Sequence, residues 1–156
     1  MRTIATLATF VLLAGCRVSA PPETLQQLMK NKVDPASKVY FNAVRYISDS
    51  TGDHDIKPQT DADWEKVRKA AADLQVYAKQ LQGEDYATGR NPDWIKFRQA
   101  LVDASKEAEQ AAKDKNVDKV FEVSGTIYSV CSACHMAYPL PVPPAASGTP
   151  AASPTA

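Results

Sequence analysis

Apolar positions recur at helical spacing in three stretches of the chain. Trp64, Val67, Ala71, Leu74, Ala78 and Leu81 alternate steps of three and four, and Trp94, Phe97, Leu101, Ala104, Ala108 and Ala111 repeat the pattern. Val117, Val120, Ser124, Ile127, Cys131, Cys134 and Tyr138 repeat it again. Single-face stripes of this kind are what helices packed in layers require. Start signals stand where the stripes begin: Asp61 before Trp64, Asn91-Pro92 with proline at the first helical position, and Asn116 ahead of Val117. Gly83 and Gly89 punctuate the link between the second and third helices. An earlier stripe, Leu25, Met29, Val33, Ala36, Tyr40, Ala43 and Ile47, contains Asp34-Pro35. It predicts a kinked helix, or a short helix followed by a freshly capped one. Residues 50–60, with Gly52 and Pro58, read as a longer connection, and no stretch shows the alternation of a strand. The fold expected is all-α: an antiparallel up-down-up-down four-helix bundle.

Composition agrees. The 156 residues include only six glycines and suit one domain with a single modest core. Eighteen basic residues balance 18 acidic ones, which argues against nucleic acid as a partner. The two ends stand apart from this pattern. Met1-Arg2 and the apolar run Ile4 to Ala14 are too short to span a bilayer and the right length for a signal-peptide core. The run ends in Leu13-Ala14-Gly15-Cys16, which looks like a bacterial lipobox, with Cys16 the acylated first residue of the mature chain. The rival is an ordinary export signal beside a stray cysteine; either one exports the protein. Residues 1–15 are thus assigned to a signal peptide and 16–23 to a tether with Pro21-Pro22. The helical domain takes 24–138. Residues 139–156, with six of the eleven prolines, form a Pro/Ala-rich tail expected to be disordered.

Cys131-Ser132-Ala133-Cys134-His135 carries the chemistry. Cys-x-x-Cys-His is the attachment signature of haem c. Cys131 and Cys134, three apart on a helix, share one face, so both thiols can reach the two vinyl groups of one porphyrin. His135 follows one residue round the helix, where its imidazole can meet the iron from the same side. A thioredoxin-like redox pair belongs at the first turn of a helix after a strand, and this one stands at the last turns. A structural zinc site wants four ligands, and His54 is the sole remaining histidine. A disulfide between cysteines three apart on a helix is strained. One covalent haem c is the expected cofactor, and haem c is attached outside the cytoplasm in bacteria, the compartment the leader calls for.

With this motif at the end of a fourth helix, the chain resembles the class II c-type cytochromes, the cytochrome c′ and cytochrome c-556 group. The resemblance covers about residues 24–138 and is most specific over Val130 to Tyr138. It implies a bundle whose first helix faces the far side of the haem. High-spin members leave the iron five-coordinate behind an apolar residue; low-spin members supply a methionine from the first helix. Met29 is on the core stripe of that helix, whereas Met136 neighbours His135 and cannot reach across. The resemblance therefore implies His135 as proximal and Met29 as distal ligand, against the simpler role of core filler. His54, in a Gly/Asp-rich stretch, reads as a solvated surface residue. Trp64 and Trp94 read as core. Tyr40, Tyr128 and Tyr138 are candidates for the haem pocket.

The function expected is that of a monohaem cytochrome passing single electrons in the periplasm of a Gram-negative bacterium. It would be held at the membrane by lipidated Cys16 and partnered by other redox proteins, with no acid, base or nucleophile constellation for an enzyme. Met/His ligation keeps the iron geometry nearly constant between oxidation states and raises the potential. The rivals are a five-coordinate gas (NO/CO) binding protein and a haem subunit of a larger redox complex. Pairing into a homodimer, as in some cytochromes c′, is left open.

Overall fold

A computed structural model of the chain describes residues 23–139. The expected leader 1–15, Cys16, the tether up to residue 22 and the tail beyond residue 139 lie outside the described residues. What is described is mostly helical, with one small two-stranded sheet.

A capping box opens α1 (Leu25–Leu28): the Gln27 N–H donates to Thr24 Oγ1 at 3.2 Å, and the Thr24 N–H donates to Gln27 Oε1 at 2.9 Å. The chain then makes a π-turn (Met29–Val33) and continues as α2 (Asp34–Phe41). Val33 and Asp34 both keep right-handed helical dihedrals, and the Asp34 N–H donates to the Met29 carbonyl five residues back. No side chain caps the start of α2. Asp34-Pro35 therefore neither breaks the helix nor recaps it. Pro35 has no N–H, and its ring would press on the carbonyl four residues back in a regular helix. The wider turn accommodates it. The burial pattern carries the same extra residue. Leu28, Val33, Ser37, Tyr40 and Val44 are the buried positions, with a step of five where the π-turn lies. The stripe read as Leu25, Met29, Val33, Ala36, Tyr40 and Ala43 is thus only partly the buried one; Leu25, Met29 and Ala36 are half-buried at its flank.

The expectation of a purely helical chain is corrected at residues 45–56. Here β1 (Arg45–Asp49) pairs antiparallel with β2 (Gly52–Ile56), Ile47 facing His54 and Asp49 facing Gly52. Asp49 Oδ1 accepts from the Thr51 N–H at 2.8 Å, and Gly52 has φ of +120°, a value that favours glycine. Ile47, placed at the end of a helical stripe, belongs to β1. The hairpin rests on the last helix, where Tyr46 meets Phe121 edge-on with ring centroids 5.0 Å apart.

The other stripes match the buried faces. Trp64, Val67, Ala71, Leu74, Ala78 and Leu81 are all buried along and just beyond α3 (Asp61–Gln80). Its cap is Thr60 rather than Asp61, in a reciprocal pair with Asp63. The link after it holds a further short helix, α4 (Glu84–Ala87), whose buried Tyr86 donates to the Glu23 carbonyl at 2.8 Å. Along α5 (Pro92–Lys113) the stripe is buried except for half-buried Phe97, and Val102, Ser105 and Ala112 join it. Along α6 (Val117–Ala137) Val120, Val123 and Ile127 are buried and the two cysteines half-buried. Asn91 and Asn116 cap these helices as expected, accepting from the Asp93 and Lys119 N–H groups at 3.1 and 3.0 Å.

Neighbouring helices run antiparallel. Asp61 at the start of α3 pairs with Lys115 beyond the end of α5 at 2.6 Å, Arg68 with Glu109 at 3.1 Å, and Leu81 meets Trp94 at the start of α5. Glu107 pairs with Lys119 at 2.6 Å, while Asn91 at the other end of α5 takes the Tyr138 hydroxyl. Lys32 of the first helix lies over the Tyr77 ring at 6.0 Å, and Tyr40 at its far end donates to the Ala108 carbonyl at 3.4 Å.

Two core substitutions should move stability in opposite directions. Ser105 is fully buried with its hydroxyl unpartnered among the described residues. Ser105→Ala is expected to raise the unfolding free energy read from a urea titration by about 1 kcal/mol, since it deletes a desolvated group that makes no bond. Leu74→Ala, at a position with no exposure, should cost about 2–5 kcal/mol in the same urea titration.

Candidate functional site

The last turns of α6 are held down on the start of α5 by a cluster of rings. The Tyr138 hydroxyl donates to Asn91 Oδ1, the same oxygen that caps α5. Its ring meets Trp94 edge-on at 5.1 Å and Phe97 at 6.3 Å. The Arg90 guanidinium stacks over Trp94 at 4.4 Å and lies 5.3 Å from Tyr138. The Trp94 indole donates to the Leu81 carbonyl at 3.1 Å, satisfying one of the carbonyls left open at the end of α3. Each bond links two helices, so the ends of α3, α5 and α6 are fixed against one another.

Beneath this cluster is a small, mostly apolar cavity of about 50 Å³. Cys131, Cys134 and His135 of α6 line it, and so do Met29 and Val33 from the π-turn. Leu101 and Trp94 of α5 and Leu81 beyond α3 supply apolar wall. The four residues singled out as thiol anchors and iron ligands thus meet on one cavity, although 101 residues of chain lie between Met29 and Cys131. His135 lines the cavity while remaining exposed overall.

Cys131 and Cys134 are free thiols. Burial pushes the Cys131 thiol above the ordinary thiol value, and neighbouring Cys134 adds to the shift. Burial also raises Cys134, against a smaller lowering by the Arg90 charge. Both groups are therefore neutral thiols at pH 7, poor nucleophiles with apolar surroundings. Among the described residues no three His, Cys, Asp or Glu side chains gather as a metal-binding group. A metal at Cys131, Cys134 or His135 would need donors beyond these side chains.

Other candidates lie elsewhere. Tyr40 is buried but bonds to Ala108, far along α5 from the cavity, and burial raises its phenol. Tyr128 is exposed on α6. Tyr138 touches Trp94 and Phe97 of the cavity wall without lining the cavity. His54 is on β2 rather than in a loop, exposed, with Nε2 2.7 Å from Thr51 Oγ1. Trp64 is core, and Trp94 is both core and cavity wall. Arg98, which no motif marks, also lines the cavity, with Nε and Nη1 buried and unpartnered among the described residues. Its signal in the sequence was a cation inside an apolar stripe, four residues after Trp94 and three before Leu101.

Comparison with known proteins adds no relative: no family model, no curated protein and no solved structure matches this chain.

The raised thiols give a direct test. In protein whose cysteines carry no adduct, alkylation of Cys131 and Cys134 by iodoacetamide should be slower at neutral pH than that of an unperturbed thiol. The rate should keep rising with pH beyond the ordinary thiol range, because only the thiolate reacts. Cys134→Ala should speed Cys131 by removing the neighbour that raises it. Peptide mass spectrometry over a pH series reads all three effects.

Proposed function

We propose that this protein is a monohaem c-type cytochrome that carries single electrons, its helices forming an up-down-up-down four-helix bundle around one covalently held haem. The observation that carries the reading is the shared cavity: Met29 from the first helix faces onto the same space as Cys131, Cys134 and His135 from the last. The residues fit such a group. Two thiols three apart anchor a planar porphyrin by thioether bonds, and an adjacent imidazole with a thioether opposite is the Met/His donor set of electron-carrying haems. The apolar walls suit a flat hydrophobic cofactor and exclude water from its metal. Bound haem supplies an iron that cycles between Fe(II) and Fe(III).

The chain's own residues do the rest. Cys131 and Cys134 fix the position of the ring on α6. His135 would supply a ring nitrogen to the metal, its place set by the same helical turn. Met29 would offer its sulfur to the group's metal from the first helix, which would keep small gases and water off it and favour the reduced state. Leu101, Trp94 and Val33 form low-dielectric wall around the site. This is a carrier rather than an enzyme. It is exported and attached by lipidated Cys16 to a membrane facing the periplasm, where it meets redox partners through small, transient contacts.

The test is expression with a c-type maturation system, followed by spectra of the purified protein, oxidised and reduced, with and without CO. One haem that stays with the chain through acid–acetone extraction and a low-spin spectrum indifferent to CO are expected. Met29→Ala should keep the haem, turn the ferric spectrum high-spin, admit CO and lower the midpoint potential. Cys131→Ala with Cys134→Ala should abolish covalent attachment. A wild-type protein that is already high-spin and binds CO readily would replace electron transfer with gas binding, and a chain that retains no haem would overturn both. Cys16→Ser should shift the protein from the membrane to the soluble periplasmic fraction.

A further inference from the structure

Arg98 differs from Arg68 and Arg90 in its partners. Arg68 is paired with Glu65 and Glu109, and Arg90 stacks on Trp94 while donating to the Tyr86 carbonyl. Arg98 sits on the apolar face of α5, on the wall of the cavity, with Nε and Nη1 buried and no hydrogen-bond partner for either among the described residues. No aspartate or glutamate lines that cavity. A guanidinium cannot shed its proton, and desolvated donors left unpaired are costly. The cavity wall therefore carries a fixed positive charge with no carboxylate among the lining residues. Its two unpaired donors are covered by protein, and an occupant that displaces this cover must bring the acceptor. Two donors in a rigid planar fork match a carboxylate best.

We propose that Arg98 binds a carboxylate of the cavity's occupant. On the reading given above, on which this inference rests, that carboxylate is a haem propionate. Arg98 is then a positioning residue with an electrostatic duty. It orients the ring about the anchors on α6 and keeps one propionate ionised and neutralised inside an apolar wall. Without the guanidinium, that propionate faces desolvation alone and its pKa rises. When it does ionise, its unpaired negative charge near the iron favours Fe(III).

The experiment uses the holoprotein, as wild type, Arg98→Met, Arg98→Gln and Arg98→Lys. Covalent haem is read first from the alkaline pyridine spectrum, and midpoint potentials are then measured by spectroelectrochemistry over a pH series. In the wild type the paired propionate adds no proton-linked step around neutral pH. In Arg98→Met a new step should appear: the potential falls as pH rises through the freed carboxyl's pKa. It should lie below the wild type at high pH and converge on it at low pH. Arg98→Gln should show the same step and carries the test if the Met variant does not hold its haem. Arg98→Lys, which keeps the charge, should suppress the step. A purely structural arginine would shift the denaturation midpoint and leave the pH profile unchanged. Haem present in all forms with no new step in Met or Gln overturns the role of Arg98 alone; a wild type without haem overturns the functional reading and this inference together.

Discussion

Along α5 the buried side chains change size. Trp94 and Leu101, with half-buried Phe97, occupy the first turns; Ala104, Ser105, Ala108, Ala111 and Ala112 occupy the rest. On antiparallel α3, buried Ala71 stands level with these small residues. Small residues let helix backbones approach and close the interior, whereas rings and branched chains stand helices off. The interior is accordingly filled where α5 ends, and the cavity lies where α5 begins. The bonds from Trp94 to Leu81 and from Tyr138 to Asn91 keep that open end from collapsing. Because they tie helix termini rather than helix middles, they also satisfy carbonyl and cap positions that would otherwise need water.

The first helix meets the same cavity through an irregularity. A regular helix through Asp34-Pro35 would set the ring of Pro35 against a carbonyl; the π-turn at Met29–Val33 avoids this by adding a residue to one turn. The added residue rotates everything before it relative to everything after. Tyr40 and Ser37 remain in the core behind it, and Leu28 becomes the buried residue ahead of it. Met29 and Val33, the two ends of the turn, both line the cavity. A backbone constraint imposed by one proline thus decides which side chains of the first helix the opposite wall sees.

These features differ in how legible they are in the sequence. The faces of α3 and α5 could be read residue by residue because each is one uninterrupted 3.6-residue period, and Asn91 and Asn116 cap where their side-chain chemistry says they should. The hairpin was invisible for a physical reason. Four of the five residues in each strand are exposed, only Ile47 and Ile56 being half-buried, so neither strand has the apolar face that produces alternation. The π-turn was hidden because its extra residue falls between two readable half-stripes, and a strict step of three and four passes over Leu28. At the site, Cys131, Cys134 and His135 were singled out by the motif and Met29 only by the resemblance to class II cytochromes; the structure shows that all four line one cavity. Arg98 could not be singled out, because a lone cation in a helix reads as solvated surface until its neighbours in space are known.

The surroundings of the two cysteines bear on what they are for. A catalytic dithiol needs a stabilised thiolate, which proteins obtain at helix N-termini or beside cations. Cys131 and Cys134 stand near the C-terminal end of α6, where the helix dipole disfavours negative charge, and burial raises both further. Arg90 offsets this only in part, and only at Cys134. Such thiols exchange disulfides poorly. For a metal bound by side chains alone, the donors do not gather in sufficient number among the described residues. On the function proposed above, these thiols would instead take a permanent bond to an apolar, flat group entering beside Leu101 and Trp94. Its metal would find His135 next to the anchors and Met29 across the cavity, and its acidic arm would find Arg98 on the wall.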